Sequence, residues 1–423
     1  MDTLIIGGGA AGLMAASFAV GKTVVLERLD NPGRKLLATG GGRCNLTHDT
    51  DAGGAAAAFA RNPRFALPAL HAFSPHDIRA FFRKQGVETC VDADGCVFPV
   101  SQKAADVLDA LQRAARMNRA EIRCGVRVTR LMTEPDAEGA TPDAQRIVAV
   151  ETTDGTLTPQ RVILATGGQS YPELGSDGSG FMLARQIGLE IVRPVPALAG
   201  LLIPDKWVQE LTGVLCEQGS VRLEGERDAV EGGVLFTHRG ISGPPALALS
   251  GEVNMRLKSE PSVTVRVSFR ADRNAQDWQD LFSAWRQEHG ARRVHNLLSG
   301  ELPRALAVAL CKQAGLTDTA VAQVSKEAGQ KLVELCCDCA LQVTGTESWA
   351  RAMLTRGGVA LHELNPKTLI CKRISNLHCA GEIIDLDGPC GGFNLTWAFA
   401  SGRLTAMPGV SPTLAQFSNF LFR

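Results

Sequence analysis

The sequence is short of tyrosine, of surplus charge and of long apolar runs. Tyr171 is its only tyrosine, and aromatic residues make up 5% of the chain. A basic stripe interleaved with aromatics, the usual footprint of a nucleic-acid surface, is therefore missing, and no nucleic-acid partner is expected. Lys and Arg together number 44, as do Asp and Glu, so net charge gives no draw toward nucleic acid or an acidic membrane. No apolar stretch approaches the ~20 residues of a membrane span. The first apolar strand begins within the opening residues, which leaves no room for a signal peptide; a cytoplasmic location is the expectation. Cysteine is present but unpatterned. Twelve residues at irregular spacing read as reduced thiols rather than a disulfide framework. Cys336 and Cys339 form a C-x-x-C, yet no second pair lies at zinc-ribbon distance, and no metal site is expected. On a helical reading, Leu332, Leu335, Cys336 and Cys339 share one buried face.

At 423 residues the chain should hold two or three domains. Its opening is the most informative stretch. Leu4-Ile5-Ile6 is a short apolar run, followed at once by Gly7-Gly8-Gly9-Ala10-Ala11-Gly12, a helix-forming stretch, and a second β-rich run that ends in Glu27. Strand, glycine turn, helix, strand and acid are in register for a dinucleotide. Gly7 permits the tight turn, Gly9 lets backbone amides approach a pyrophosphate, and Gly12 lets the helix pack close on the sheet. Ala10 and Ala11 open the helix, whose free N–H groups and partial positive charge suit phosphates. Glu27 can accept hydrogen bonds from a ribose diol, and Arg28 follows it in the same site.

The loop over residues 28–47 carries Lys35 and a second glycine cluster, Thr39-Gly40-Gly41-Gly42-Arg43-Cys44-Asn45. The patterns predict a helix around residues 78–82, a hairpin over 87–91 and 96–100 with Cys90 facing Cys96, and an amphipathic helix over 107–117. Three strands follow at 126–132 (which holds Val128), 147–153 and 157–164, and the third runs into Ala165-Thr166-Gly167-Gly168. A three-stranded meander returning to an A-T-G turn is the second half of an FAD-binding domain, not of an NAD-dependent dehydrogenase. Residues 191–270 then alternate in short β-like runs, and 276–340 are helical in pattern. The chain returns to strand and glycine at Ala380-Gly381-Glu382 and Gly391-Gly392-Phe393-Asn394, with a helix over 395–404. An acid such as Glu382 at a strand end can meet the ribityl chain or pyrophosphate. The helix after the last glycines can point its N-terminus at the flavin N1–C2=O edge, where a positive dipole favours the anionic reduced flavin.

The expected architecture is α/β. A discontinuous, Rossmann-like FAD-binding domain of the glutathione-reductase type occupies residues 1–190 and 350–423, interrupted by a β-rich insertion at 191–275 and a helical one at 276–349.

Several strings are specific enough to carry a resemblance. Gly40-Gly41-Gly42-Arg43-Cys44-Asn45, Phe236-Thr237-His238-Arg239-Gly240-Ile241-Ser242-Gly243-Pro244, and Ala380-Gly381-Glu382 through Asp385-Leu386-Asp387-Gly388 to Asn394-Leu395 resemble the bacterial BaiN/RdsA-like flavoproteins, also described as aminoacetone-oxidase-like. The likeness extends through Val97-Phe98-Pro99, Ser170-Tyr171-Pro172 and Thr355-Arg356-Gly357-Gly358-Val359, in order along nearly the whole chain. It departs at Ser176-Asp177-Gly178-Ser179-Gly180, where the family often has Ser-Thr-Gly-Asp-Gly, and at Thr405-Ala406-Met407 in the last helix. The resemblance implies FAD, a β-barrel-like and helical insertion, and an NAD(P)H-linked oxidoreductase activity. One class in that family reduces conjugated double bonds of steroid-like bile acid intermediates; substrate transfers between members less well than cofactor.

Arg43, Asn45 and Lys35 are candidates to touch the cofactor, beside a default reading as solvated loop residues. Cys44 lacks the C-x-x-x-x-C partner of disulfide reductases, since Asp49 stands there; it reads as a loop residue with a flavin-proximal role as the alternative. His238 and Arg239 lie in a glycine-bounded loop and are the candidate catalytic pair, one for proton transfer and one for holding an oxyanion, against a reading as a structural hinge. Tyr171 is a weaker acid candidate. No second G-x-G-x-x-G occurs between residues 190 and 350, so NAD(P)H would visit transiently, or electrons would pass to another acceptor. The expected activity is FAD-dependent oxidoreduction of a small organic substrate held between the FAD domain and the insertion, with hydride moving through flavin N5. The alternatives are a peroxide-producing oxidase of an amine or hydroxy substrate and a flavoprotein of RNA modification.

Overall fold

The computed structural model describes residues 1–137 and 143–407. The chain forms two compact units. One comprises residues 1–194 together with the described residues from 354 on; the other is Val195–Met353.

In the first unit, β1 (Thr3–Ile6), β2 (Thr23–Leu26), β3 (Glu121–Arg123), β4 (Arg161–Leu164) and β5 (Leu377–Cys379) form one sheet in the order β5-β4-β1-β2-β3. Every pairing is parallel. A central parallel strand is covered on both faces and so is apolar throughout rather than alternating; β1 and β2 are buried at every position. Each fully buried Leu or Ile contributes ~1.5–3 kcal/mol relative to exposure. Helix α1 (Ala10–Ala16) follows β1 and α2 (Arg34–Ala38) follows β2, while α3 (Phe393–Ala406) closes the described chain. Close approach of α3 to α1 depends on Gly402, where a Cβ would fall 2.3 Å from Ala11 O. A small sheet of Thr47–His48, Cys96–Pro99 and Thr89–Val91 and a meander of Val128–Pro135, Gln145–Thr152 and Gly155–Leu157 complete the unit's strands.

Two local expectations need correction. The strand read over residues 157–164 is two strands: Gly155–Leu157 ends the meander and Arg161–Leu164 joins the parallel sheet. Pro159 between them has no N–H to give a ladder, which separates the two. Cys90 does not face Cys96; it lies opposite Phe98, and Cys96 lies opposite His48.

The second unit is built on a seven-stranded antiparallel sheet in the order Cys339–Val343, Val263–Ser268, Leu215–Leu223, Val230–Thr237, Gly240–Ser242, Leu201–Leu202, Gly345–Thr346. The first and last of these strands are consecutive in the chain. Only Thr344 separates them, and its N–H donates to Leu202 O at 3.0 Å. One bent segment thus pairs with both edges of the sheet and curls it into a barrel, which leaves little open edge. These closing strands lie within the stretch expected to be helical. One core, with Val221, Val265 and Leu341 from strands and Trp278, Leu306 and Leu332 from helices, serves both parts. A helix, Pro244–Arg256, also interrupts the expected β run. Pro244 at its first position has φ preset for a helix, whereas Ala246-Leu247-Ala248-Leu249 alternates as a strand would. Cys339 starts a strand instead of continuing the helix Lys326–Cys337, and it is buried all the same.

Candidate functional site

The turn after β1 is fixed by two glycines and left open by a third. Gly7 has φ +108, and a Cβ there would lie 2.4 Å from Ala165 O; at Gly12 it would lie 1.9 Å from Gly7 O. Gly9 is extended, at φ −82 and ψ −168, and nothing lies within 4 Å of its Cβ position. That open space at the head of α1 is where backbone approach to a pyrophosphate is needed. Ala10 and Ala11 form the first turn of α1, and Gly381 packs against Ala11, its Cβ position 2.9 Å from Ala11 Cβ.

Glu27 follows β2 and is 9% exposed. Its Oε2 accepts from Gly8 N–H and its Oε1 from Leu29 N–H, each at 2.9 Å. Two backbone donors hold the carboxylate in place while its remaining lone pairs stay free for a diol. Beside it is a pocket lined by Gly7, Glu27, Arg28, Val128 and Thr166, among others. Among the described residues, three buried side-chain polar atoms lack a partner, and two of them, Arg28 Nε and Thr166 Oγ1, belong to this pocket's lining residues. A buried unpaired polar group costs ~1–3 kcal/mol, which a polar ligand here would offset. The donor set fits the adenosine end of FAD.

The flavin-side candidates form a second group. Lys35 and Glu382, each expected to reach the cofactor, pair with one another: Lys35 Nζ lies 2.6 Å from Glu382 Oε2. Gly167 has φ +74, and Gly168 could take no side chain, because a Cβ would fall 2.2 Å from Thr355 Oγ1. Gly40, Gly41 and Gly42 are all left-handed, at φ +57, +66 and +87. Arg43 lays its guanidinium over Phe98, 4.4 Å from the ring centre. Asn45 donates to Thr47 O at 2.9 Å and accepts from Gly392 N–H at 3.2 Å, in the amide orientation its neighbours require. The residue after it in the turn, Phe393, stacks on His48, whose Nδ1 is 3.1 Å from Gly391 O. Asn394 bridges Gly388 N–H and Gly388 O, both within 2.9 Å, and so fixes the loop that feeds α3. The Gly40–Asn45 loop and the Gly391–Asn394 turn are thereby brought together.

Sequence reasoning missed Ser170, Thr355, His48 and Arg61 as parts of this arrangement. Arg61 pairs with Asp387 at 2.9 Å, as does Arg356 at 2.8 Å. Asp385 is buried, which pushes its carboxyl up, against Arg61 nearby, which pulls it down. No spacing rule signals these contacts, though Asp385 and Asp387 stand in a string already noted.

Cys44 is fully buried and left-handed at φ 62. Burial pushes its thiol up to about 12, against a smaller opposing hydrogen bond from Thr39, so a thiolate at neutral pH is disfavoured. Cys339 is likewise raised to about 12 by burial. No group of His, Cys, Asp or Glu among the described residues is arranged to hold a metal. No described helix is long and apolar enough to cross a membrane.

In the second unit, His238 and Arg239 form the exposed turn between Val230–Thr237 and Gly240–Ser242. Arg239 pairs with Glu347 at 3.0 Å, and its carbonyl accepts from Ile203 N–H at 2.9 Å. Gly240 lets the hairpin pass close to its neighbour, since a Cβ would fall 2.1 Å from Leu201 O.

A parallel sheet with a glycine turn at the head of α1, an acid after β2 and a glycine turn heading α3 is the frame of an FAD-dependent oxidoreductase. The chain belongs to the HI0933-like protein Rossmann domain family, whose model matches residues 1–408. It is 33% identical over 408 residues to a 3-dehydro-bile acid delta(4,6)-reductase of Clostridium scindens, covering 95% of this chain and 97% of the relative. It is 30% identical over 414 residues to a ribosomal RNA dihydrouridine synthase of Escherichia coli, covering 95% and 96%. Among solved structures, a 3-ketosteroid delta1-dehydrogenase of Sterolibacterium denitrificans shares the fold, with a TM-score of 0.52 at 13% identity over 96% of this chain and 98% of that one.

Proposed function

We propose that this protein reduces a carbon–carbon double bond conjugated to a carbonyl in a small organic substrate, with NAD(P)H as the electron donor. The observation that carries this reading is the pair of relatives with unlike substrates. By their names, one acts on a bile acid and the other on ribosomal RNA. Both names nonetheless describe reduction of a double bond, and in uridine that bond is conjugated to a carbonyl. What is common to both is the reaction, so the reaction is the part to carry over. Bound FAD would supply a two-electron carrier that takes hydride from a nicotinamide and delivers it through N5.

The chain's own residues would do the rest. The Gly7–Gly12 turn and Glu27 would hold the pyrophosphate and ribose, and Thr166 and Arg28 the adenosine end. Arg43, Asn45 and the Gly391–Asn394 turn would border the ring. Within Val195–Met353, His238 would be the proton donor of the reaction, and Arg239, which pairs with Glu347, the residue that holds charge. A small substrate is favoured by charge: Val195–Met353 has 17 Lys and Arg against 19 Asp and Glu, and an RNA surface needs a basic excess. The reading in which RNA is the substrate draws on the dihydrouridine synthases, at 30% and 28% identity.

The test has two anaerobic halves. NADH or NADPH should bleach the yellow holoprotein, and a conjugated dienone should then restore the oxidised spectrum and lose one double bond. His238→Ala should slow the second half by roughly a hundredfold with FAD content unchanged. Restoration by a uridine-bearing rRNA fragment alone would replace the small substrate with RNA. Restoration by neither, with peroxide formed from an amine or hydroxy compound in air, would make the protein an oxidase.

A further inference from the structure

Glu382 lies in the turn after β5, where the sequence leads one to expect an acid that meets the cofactor, yet both its oxygens already have protein partners. Glu382 Oε2 takes the Lys35 ammonium at 2.6 Å. Its Oε1 accepts from Ser170 Oγ at 3.0 Å and from Thr355 N–H at 2.9 Å. Ser170 Oγ in turn accepts from Lys35 Nζ at 2.6 Å. Thr355 Oγ1 accepts from the backbone N–H of Gln169 at 2.8 Å and of Ser170 at 3.2 Å. Ser170 and Thr355 are 0% and 2% exposed, and the Lys35 and Glu382 side chains are 21% and 17% exposed.

We propose that Glu382 is a positioning residue, the hub of a Lys35–Ser170–Glu382–Thr355 network, and that it supports the cofactor through these partners rather than by touching it. This rests on the FAD reading of the site. Three segments meet at one carboxylate: α2 through Lys35, the loop after β4 through Ser170, and the strand Leu354–Val359 through Thr355. The turn at Gly381 adds a fourth tie. Its N–H donates to Ser401 Oγ at 2.9 Å and its carbonyl accepts from Trp397 Nε1 at 3.1 Å, which joins the hub to α3. Gly168 serves the same network, since a Cβ there would lie 2.2 Å from Thr355 Oγ1 and 2.8 Å from Glu382 Oε1. A carboxylate has about four acceptor positions, and three are filled by the protein. Shared partners of this kind act as a unit, so their losses should not add.

The experiment is a double-mutant cycle read by FAD affinity of the apoprotein, from quenching of flavin fluorescence, with apoprotein melting as the check on folding. Lys35→Met and Glu382→Gln should each weaken FAD binding about tenfold, and the double variant no more than the worse single. The exchanged pair Lys35→Glu with Glu382→Lys should not recover the loss, because a lysine at 382 cannot accept from Thr355 N–H; recovery would reduce the hub to a plain ion pair and overturn it. If the Glu382 variants do not fold, Thr355 reads the same network: Thr355→Val should weaken FAD binding and Thr355→Ser should restore it. Additive losses, approaching a hundredfold in the double variant, or a Thr355→Val protein with wild-type affinity, would overturn the hub. A wild-type chain that takes no FAD would instead overturn the cofactor reading beneath it.

Discussion

Gly9 and Gly12 stand three residues apart in one turn and have opposite physical roles. Gly12 is hemmed in by protein, with a Cβ position 1.9 Å from Gly7 O, whereas Gly9 has nothing within 4 Å and an extended backbone that alanine can adopt. Gly12→Ala should therefore destabilise the apoprotein by about 2 kcal/mol or more. Gly9→Ala should leave apoprotein melting unchanged and weaken FAD binding at least about tenfold. Melting curves and FAD titrations of both variants check this; a Gly9→Ala apoprotein that melts as early as Gly12→Ala would deny the distinction. At this scale the sequence was informative wherever chemistry follows spacing. Glu27 could be singled out because the strand–turn–helix unit counts out the distance at which a ribose acid is expected. Lys35 and Glu382 could be noticed one at a time but not as a pair, because 347 residues separate them. Thr355 stood in a string that resembles the family, but its part in the network went unread, since one buried hydroxyl has no pattern.

Among the elements, β4, β5 and α3 are tied together at the sheet's far end by Arg161 and His378. Arg161 Nε is 3.4 Å from His378 Nδ1, and its guanidinium also donates to the carbonyls of Thr405 and Ala406, near the end of α3. Burial, then the neighbouring Arg161 charge, holds the His378 imidazole well below its ordinary value of 6.5. The unfolded chain takes up this proton near 6.5, while the folded chain does so only in stronger acid. Protonation thus favours unfolding: the contribution is intact above 6.5 and falls by about 1.4 kcal/mol per pH unit below it. Melting temperatures between about pH 5 and pH 7.5 should drop on the acid side, and His378→Asn should flatten that slope. An identical slope in the variant would deny His378 the role. Element boundaries were legible where one rule governed and not where two competed. Pro159 cut the stretch read as one strand into two strands of different sheets. Pro244 started a helix in a stretch whose Ala–Leu alternation suggests a strand. The segment 339–346 closes the barrel from within a helical neighbourhood, because its pairing partners are distant in sequence and no local periodicity records them.

For the molecule as a whole, residues 1–194 and the described residues from 354 on form one unit, with glycine turns near both of its ends. Its sheet is complete only when β5, from the far end of the chain, joins β4. The substrate was not readable, since relatives 33% and 30% identical act, by their names, on a bile acid and on ribosomal RNA. Both substrate readings and the hub at Glu382 presuppose the same cofactor in the same place. Titration of the apoprotein with FAD, followed by flavin fluorescence and the visible spectrum, settles that first. One FAD should bind per chain, with Thr166→Val and Gly9→Ala each weakening it while the apoproteins stay folded. A folded wild-type chain that remains colourless and leaves flavin fluorescence unchanged would contradict it.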